Sequence, residues 1–237
     1  MLLIKDFVKD LDSILSAADR RDHFAFSRFA DGEHAVLTKT PLTGYDWRMA
    51  PEFEVVSREL EAALGYRASN YYFGVSCPCC DKEKSEYYRK ELGTIWNDRV
   101  TYSNIFVNGN YSKVISWLKD KEVIIFGNDK LRGATNLPFK VIDAAYFPAN
   151  SVELFNDENR MQGLKRICEH IASKYSDKIF LISVGPISKI VIKSMFQRNP
   201  RNSYIDIGSV VDPYIHGSTR IYHHHPTWQN MICHGLK

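Results

Sequence analysis

Short apolar, β-rich runs recur along the chain with helical patterns between them, and this alternation limits the fold more than any other feature. Parallel strands cannot be joined by a tight turn, because each return needs a crossover, and helices supply it. The runs HFAFSRF (23–29), NYYFGVS (70–76), SNIFVN (103–108), EVIIFGN (122–128), KVIDAAY (140–146), KIFLISV (178–184) and SYIDIG (203–208) read as strands. Helices are predicted at 4–18, 53–64, 83–97, 111–119, 158–174 and 187–197. The expected architecture is α/β: a single Rossmann-like domain over residues 1–237, with a largely parallel sheet flanked by helices. Loops at the carboxyl ends of such strands converge on one crevice, so one site is expected there.

A chain of 237 residues, 44% apolar and 25% charged, can bury one substantial core. Its net charge of +3 is small and its Lys and Arg residues are scattered, which argues against a nucleic-acid partner. The N-terminal stretch MLLIKDFVKDLDSIL carries apolar residues at 3, 4, 7, 8, 11, 14 and 15, interrupted by Lys5, Asp6, Lys9 and Asp10. That is an amphipathic helix, and neither a signal peptide nor a membrane span tolerates it. A cytoplasmic protein without a membrane span is expected, although an apolar helix face can also dock on a partner or a membrane surface. Homo-oligomerisation stays open.

Three of five cysteines fall in SCPCC, as Cys77, Cys79 and Cys80. A structural zinc site needs four ligands, and Cys168 and Cys233 lie far off in sequence, so reduced thiols in a turn are the preferred reading. A zinc-stabilised binding module built around SCPCC is the weakest of the functional readings.

The segment FSRFADGEHAVL (26–37) carries the most chemistry. Arg28, Asp31, Gly32 and Glu33 fall where a strand should turn into a helix. Two carboxylates around a glycine can hold Mg²⁺ or Mn²⁺, and Arg28 could clamp phosphate oxygens through parallel hydrogen bonds. The plainer alternative is that Asp31 caps a helix starting near His34 and pairs with Arg28. Spacing alone leaves the two readings even.

FSRFADGE resembles the R-F-x-D-G-E signature of the bacterial GT-D type glycosyltransferases, and IFLISVGPISKIVIKSM (179–195) with YIDIGSVVDPYIHG (204–217) resembles that family's C-terminal half. Ala30 stands where the family commonly has glycine, which fits if φ there is negative. The resemblance implies a metal-dependent glycosyltransferase moving a sugar from a nucleoside-diphosphate sugar, a UDP-sugar first, to a glycan or glycoprotein acceptor. Such a role belongs to polysaccharide biosynthesis or protein glycosylation. The cofactor implied is a divalent cation, Mn²⁺ or Mg²⁺, held by Asp31 and Glu33. The alternative reading is a sugar-phosphate enzyme or a metal-dependent phosphohydrolase using the same acidic pair.

Three further groups complete the expected site. In VGPISK, Gly185, Ser188 and Lys189 sit at a strand-to-helix turn whose free amides could face a diphosphate, although ordinary helix-start chemistry reads the same way. Asp212, then Asp206, are candidates for the base that takes the acceptor's proton; either could instead be a turn residue. Arg220 would add to the donor site, and His223 to the metal shell, with imidazole favouring Mn²⁺. Tyr45 and Trp47, in the irregular stretch 38–51, are candidate acceptor contacts.

Overall fold

A computed structural model of the chain describes residues 1–40, 53–215 and 233. In chain order the elements are α1 (Phe7–Asp19), β1 (Ala25–Phe29), α2 (Asp31–Thr38), α3 (Glu54–Leu64), β2 (Tyr71–Val75), α4 (Lys82–Leu92), β3 (Val100–Tyr102), α5 (Tyr111–Leu118), β4 (Glu122–Asn128) and β5 (Lys140–Phe147). They continue with α6 (Ser151–Leu154), α7 (Glu158–Ser173), β6 (Ile179–Ile182), α8 (Ile187–Arg198), β7 (Ser203–Asp206) and a 3-10 segment at Gly208–Tyr214. Local chemistry sets several helix starts. Asp6, Asp81 and Asp157 each accept a backbone N–H from the first turn that follows, which satisfies donors a helix cannot pair internally.

Among the described residues the strands form one seven-stranded sheet, ordered β3-β2-β1-β7-β6-β4-β5 and parallel throughout. One face carries α3, α4, α7 and α8, through Leu60, Tyr88, Met161 and Ile190. The other carries α1, α5 and the 3-10 segment, through Leu11, Leu118 and Val210. Strand β1 shows why both faces are apolar: Ala25 and Phe29 enter the first core, Phe26 the second, as a period of two requires.

The expected α/β architecture with a parallel sheet is what forms. Two expectations about elements are corrected. SNIFVN is no strand: β3 ends at Tyr102, and 103–110 winds through turns in which Ile105 N–H bonds the Tyr102 carbonyl and Asn108 N–H the Asn104 carbonyl. Asn110 stabilises these turns by donating to the carbonyls of Phe7 and Ile105, so side-chain amides outcompete the sheet here. The helix expected at 83–97 stops at Leu92, where Gly93 takes φ +48°.

Candidate functional site

The carboxyl ends of β1, β4, β6 and β7 open on a cleft of about 410 Å³. Its lining includes Arg28, Asp31, Glu33, Gly185, Gly208 and Asp212, so the three separate sequence blocks do meet. Both α2 and α8 begin at its wall, so the positive ends of two helix dipoles lie beside the cleft.

The centre of the wall is a buried charge triad. Lys189, 4% exposed, places Nζ 2.7 Å from Glu33 Oε1 and 2.8 Å from Asp206 Oδ2, and donates to the Gly185 carbonyl at 3.1 Å. All three ammonium donors therefore have acceptors. Burial alone would push the Lys189 pKa down; the charges and hydrogen bonds of Asp206 and Glu33 outweigh it and hold the pKa above its usual value. The carboxylates are also bonded elsewhere. Glu33 Oε2 accepts from Ala30 N–H at 2.8 Å, and Asp206 Oδ1 from Gly208 N–H at 3.0 Å.

This arrangement departs from the expectation that Lys189 faces an anion. Its charge is held inside the protein by two carboxylates. Ser188 is likewise turned inward: its Oγ accepts the Val184 N–H at 2.8 Å, closing the β6–α8 turn. Gly185 has φ +54°, the left-handed conformation that lets the chain turn sharply into α8.

Helix α2 starts at Asp31, earlier than near His34, and Glu33 caps it rather than Asp31. Ala30, with φ −128° and ψ −147°, meets the condition set by its side chain. Asp31 is half-exposed at 49%, and its Oδ1 lies 3.3 Å from Lys84 Nζ; it has no ion pair with Arg28. Gly32 lies in the first helical turn without a positive φ. Lys84 also pairs with Asp81, whose hydrogen bond, helped by the charge of Asp31, raises the Lys84 pKa against burial. Burial, then Lys84, lowers the pKa of His34.

Arg28 points to the opposite face of the sheet end, its guanidinium 5.8 Å from the Phe106 ring centre. Among the described residues it has no carboxylate partner, and its buried Nε has no hydrogen-bond acceptor. Gly208, with φ +52°, leaves it room: a Cβ there would lie 2.1 Å from Arg28 Nη1. Ser183 Oγ donates to the Gly208 carbonyl at 2.6 Å and fixes that turn against β6. Asp212 is half-buried in the 3-10 segment on the cleft.

The cleft also takes in Asn104, Asn128 and Ser183, which sequence reading missed. Asn128 and Ser183 had a usable signal, since both stand at the carboxyl ends of strong apolar strands. Tyr45, Trp47, Arg220 and His223 lie outside the described residues.

No family model matches the sequence, and no curated protein matches it. Two solved structures match its backbone. One is of "the highly conserved domain of unknown function 1792", described as having "a distinct glycosyltransferase fold"; identity is 13%, the match covers 86% of this chain and 80% of that one, and the TM-score is 0.55. The other is a selenomethionine-substituted structure of domain of unknown function 1792, at 14% identity, the same coverage of both chains and a TM-score of 0.55. With the parallel sheet and its strand-end cleft already established, these likenesses identify the fold of this chain as a glycosyltransferase fold.

Proposed function

We propose that this protein is a metal-dependent glycosyltransferase that takes its sugar from a nucleoside-diphosphate donor, a UDP-sugar first, and passes it to a glycan or glycoprotein acceptor. The observation that carries the reading is Arg28. A guanidinium on the cleft, with an unsatisfied Nε and no carboxylate partner among the described residues, is a strong cation waiting for an anion of matching geometry. Helices α2 and α8 both start at the cleft, and the positive end of a helix dipole favours the same ligand.

Transfer breaks the bond between the sugar and the β-phosphate oxygen, and negative charge grows on the departing diphosphate. Arg28 and the two helix dipoles stabilise that charge from fixed positions. Asp31 and Glu33 would hold a Mg²⁺ or Mn²⁺ ion: Asp31 is open to the cleft, and Glu33 keeps lone pairs beyond those bonded to Lys189 and Ala30. Such an ion, when bound, supplies Lewis-acid stabilisation of the leaving group. Asp212 is the base that takes the acceptor's hydroxyl proton. Asp206, 1% exposed and held by Lys189 and Gly208, suits the positioning of Lys189 better than proton transfer.

A screen of nucleotide sugars for slow, metal-dependent donor hydrolysis tests the reading without the acceptor. One donor consumed with Mn²⁺ or Mg²⁺, and spared by Asp31→Ala, supports it. Phosphate released from a sugar phosphate without any acceptor, and no nucleotide-sugar turnover, supports the sugar-phosphate enzyme or phosphohydrolase instead.

A further inference from the structure

Folding brings Cys233 to the SCPCC turn, although the two lie far apart in sequence. The Sγ atoms of Cys77, Cys79, Cys80 and Cys233 all lie within 4.8 Å of one another. Cys77 and Cys79 are 3.1 Å apart, and Cys80 and Cys233 3.0 Å, with all four thiols free. We propose that these four cysteines form a structural zinc site that fastens residue 233 to the β2–α4 turn. This inference is independent of the proposed transferase activity.

The donor set has the composition and the scale that zinc requires. Zinc takes four thiolates tetrahedrally at roughly 2.3 Å, which sets sulfur–sulfur separations of about 3.8 Å; the two pairs at 3.0 and 3.1 Å are tighter than this and no separation exceeds 4.8 Å, so a small opening of the cluster seats the ion. Three ligands come from one tight turn, in which the amides of Cys80 and Asp81 both bond the Cys77 carbonyl, so they are held together before any ion arrives. Cys77 and Cys233 are buried while Cys79 and Cys80 are exposed, leaving a path for an ion to enter.

Cys233 is held for the purpose by two asparagines. Asn108 grips its backbone at both ends, receiving Cys233 N–H at Oδ1 and donating from Nδ2 to its carbonyl, each at 2.8 Å. Asn104 Nδ2 donates to Cys233 Sγ at 3.1 Å, a contact that favours the thiolate. As zinc binds, the thiol protons leave to solvent and four Zn–S bonds form. A fully thiolate-coordinated ion keeps no open position, so it cannot be the Lewis acid of the cleft. It would instead brace the cleft wall, because Asn104 lines the cleft as well.

Elemental analysis of the full chain, purified without chelator or added metal, should find one zinc per chain. Zinc should fall below a tenth of that in Cys79→Ser, whose thiol is exposed, and stay at one in Cys168→Ser, whose buried thiol lies on α7. Exchange of wild-type protein into Co²⁺ should give the absorption of a tetrahedral tetrathiolate, a readout that needs no variant to fold. Protein without stoichiometric zinc that gives no such spectrum with Co²⁺, or peptide mapping that finds Cys80 and Cys233 joined as a disulfide in the native chain, overturns the proposal.

Discussion

Lys189 Nζ lies 2.7 Å from Glu33 Oε1, so the first turn of α8 is bonded directly to the first turn of α2. Asp206, at the end of β7, closes the arrangement from the other side of the ammonium at 2.8 Å. Three elements that frame the cleft are thereby held by one buried cation. The spacing of the two helix starts depends on it.

Replacing Lys189 with Met should destabilise the protein by about 3–5 kcal/mol at neutral pH, because two carboxylates would be left buried without their counter-charge. The raised Lys189 pKa means that its stabilisation is complete below the unfolded lysine's value and fades as pH climbs through the folded one. Urea unfolding of both proteins from neutral to alkaline pH checks both the loss and its fading, and equal stability at neutral pH would contradict the role of Lys189.

Asp31→Ala should leave the unfolding midpoint within the change usual for a surface site, about 0.5 kcal/mol. It should abolish the rise in melting temperature given by Mn²⁺ together with UDP, if the donor is a UDP-sugar. Thermal scans of wild type and variant, with and without both ligands, separate a binding defect from a folding one. A retained shift would remove Asp31 from the donor site.

Arg28→Lys keeps the charge and loses the planar fork. With a charged hydrogen bond contributing about 1.5–3 kcal/mol, kcat/KM for the donor should drop roughly 10- to 100-fold. Steady-state donor hydrolysis reads this directly. Full activity in the lysine variant would mean that a point charge suffices.

Gly208→Ala tests the same residue from the opposite side. The backbone conformation at φ +52° and the contact with Arg28 Nη1 together predict a loss of about 1–3 kcal/mol. Part of it should be recovered in Arg28→Ala, where the obstructing guanidinium is gone. A double-mutant cycle by chemical unfolding gives the coupling, and strict additivity would show that only the backbone conformation matters.

Asp212→Asn should slow transfer by roughly 10²- to 10⁴-fold while leaving the metal-dependent nucleotide shift intact, since a general base acts on the acceptor. The comparison requires an acceptor assay alongside the thermal one. Unchanged transfer would place the base elsewhere.

Strands were legible where apolar runs were long and bounded. EVIIFGN maps residue for residue onto β4, because every inner position of a two-sided parallel strand is apolar. SNIFVN read the same way and is a set of turns, since its apolar residues fill the second core while Asn104, Asn108 and Asn110 hold backbone and thiol. The motif around Asp31 was placed at the right turn, yet its internal pairing was hidden. Nothing in sequence spacing says that Lys189 reaches Glu33 and Asp206, because that follows from β7 entering between β1 and β6. Cys233 was missed for the same reason: its partners are set by tertiary return of the chain.

The position of β7 also has a kinetic meaning. Strand β1 pairs on one side with β2, made soon after it, and on the other with β7, synthesised last of the strands among the described residues. Until β7 emerges from the ribosome, the inner edges of β1 and β6 stay open and two halves of the sheet wait to be joined. Closure of a gap by a late central strand is a long-range event, so it should be the slow step of refolding and the stage most exposed to intermolecular strand pairing.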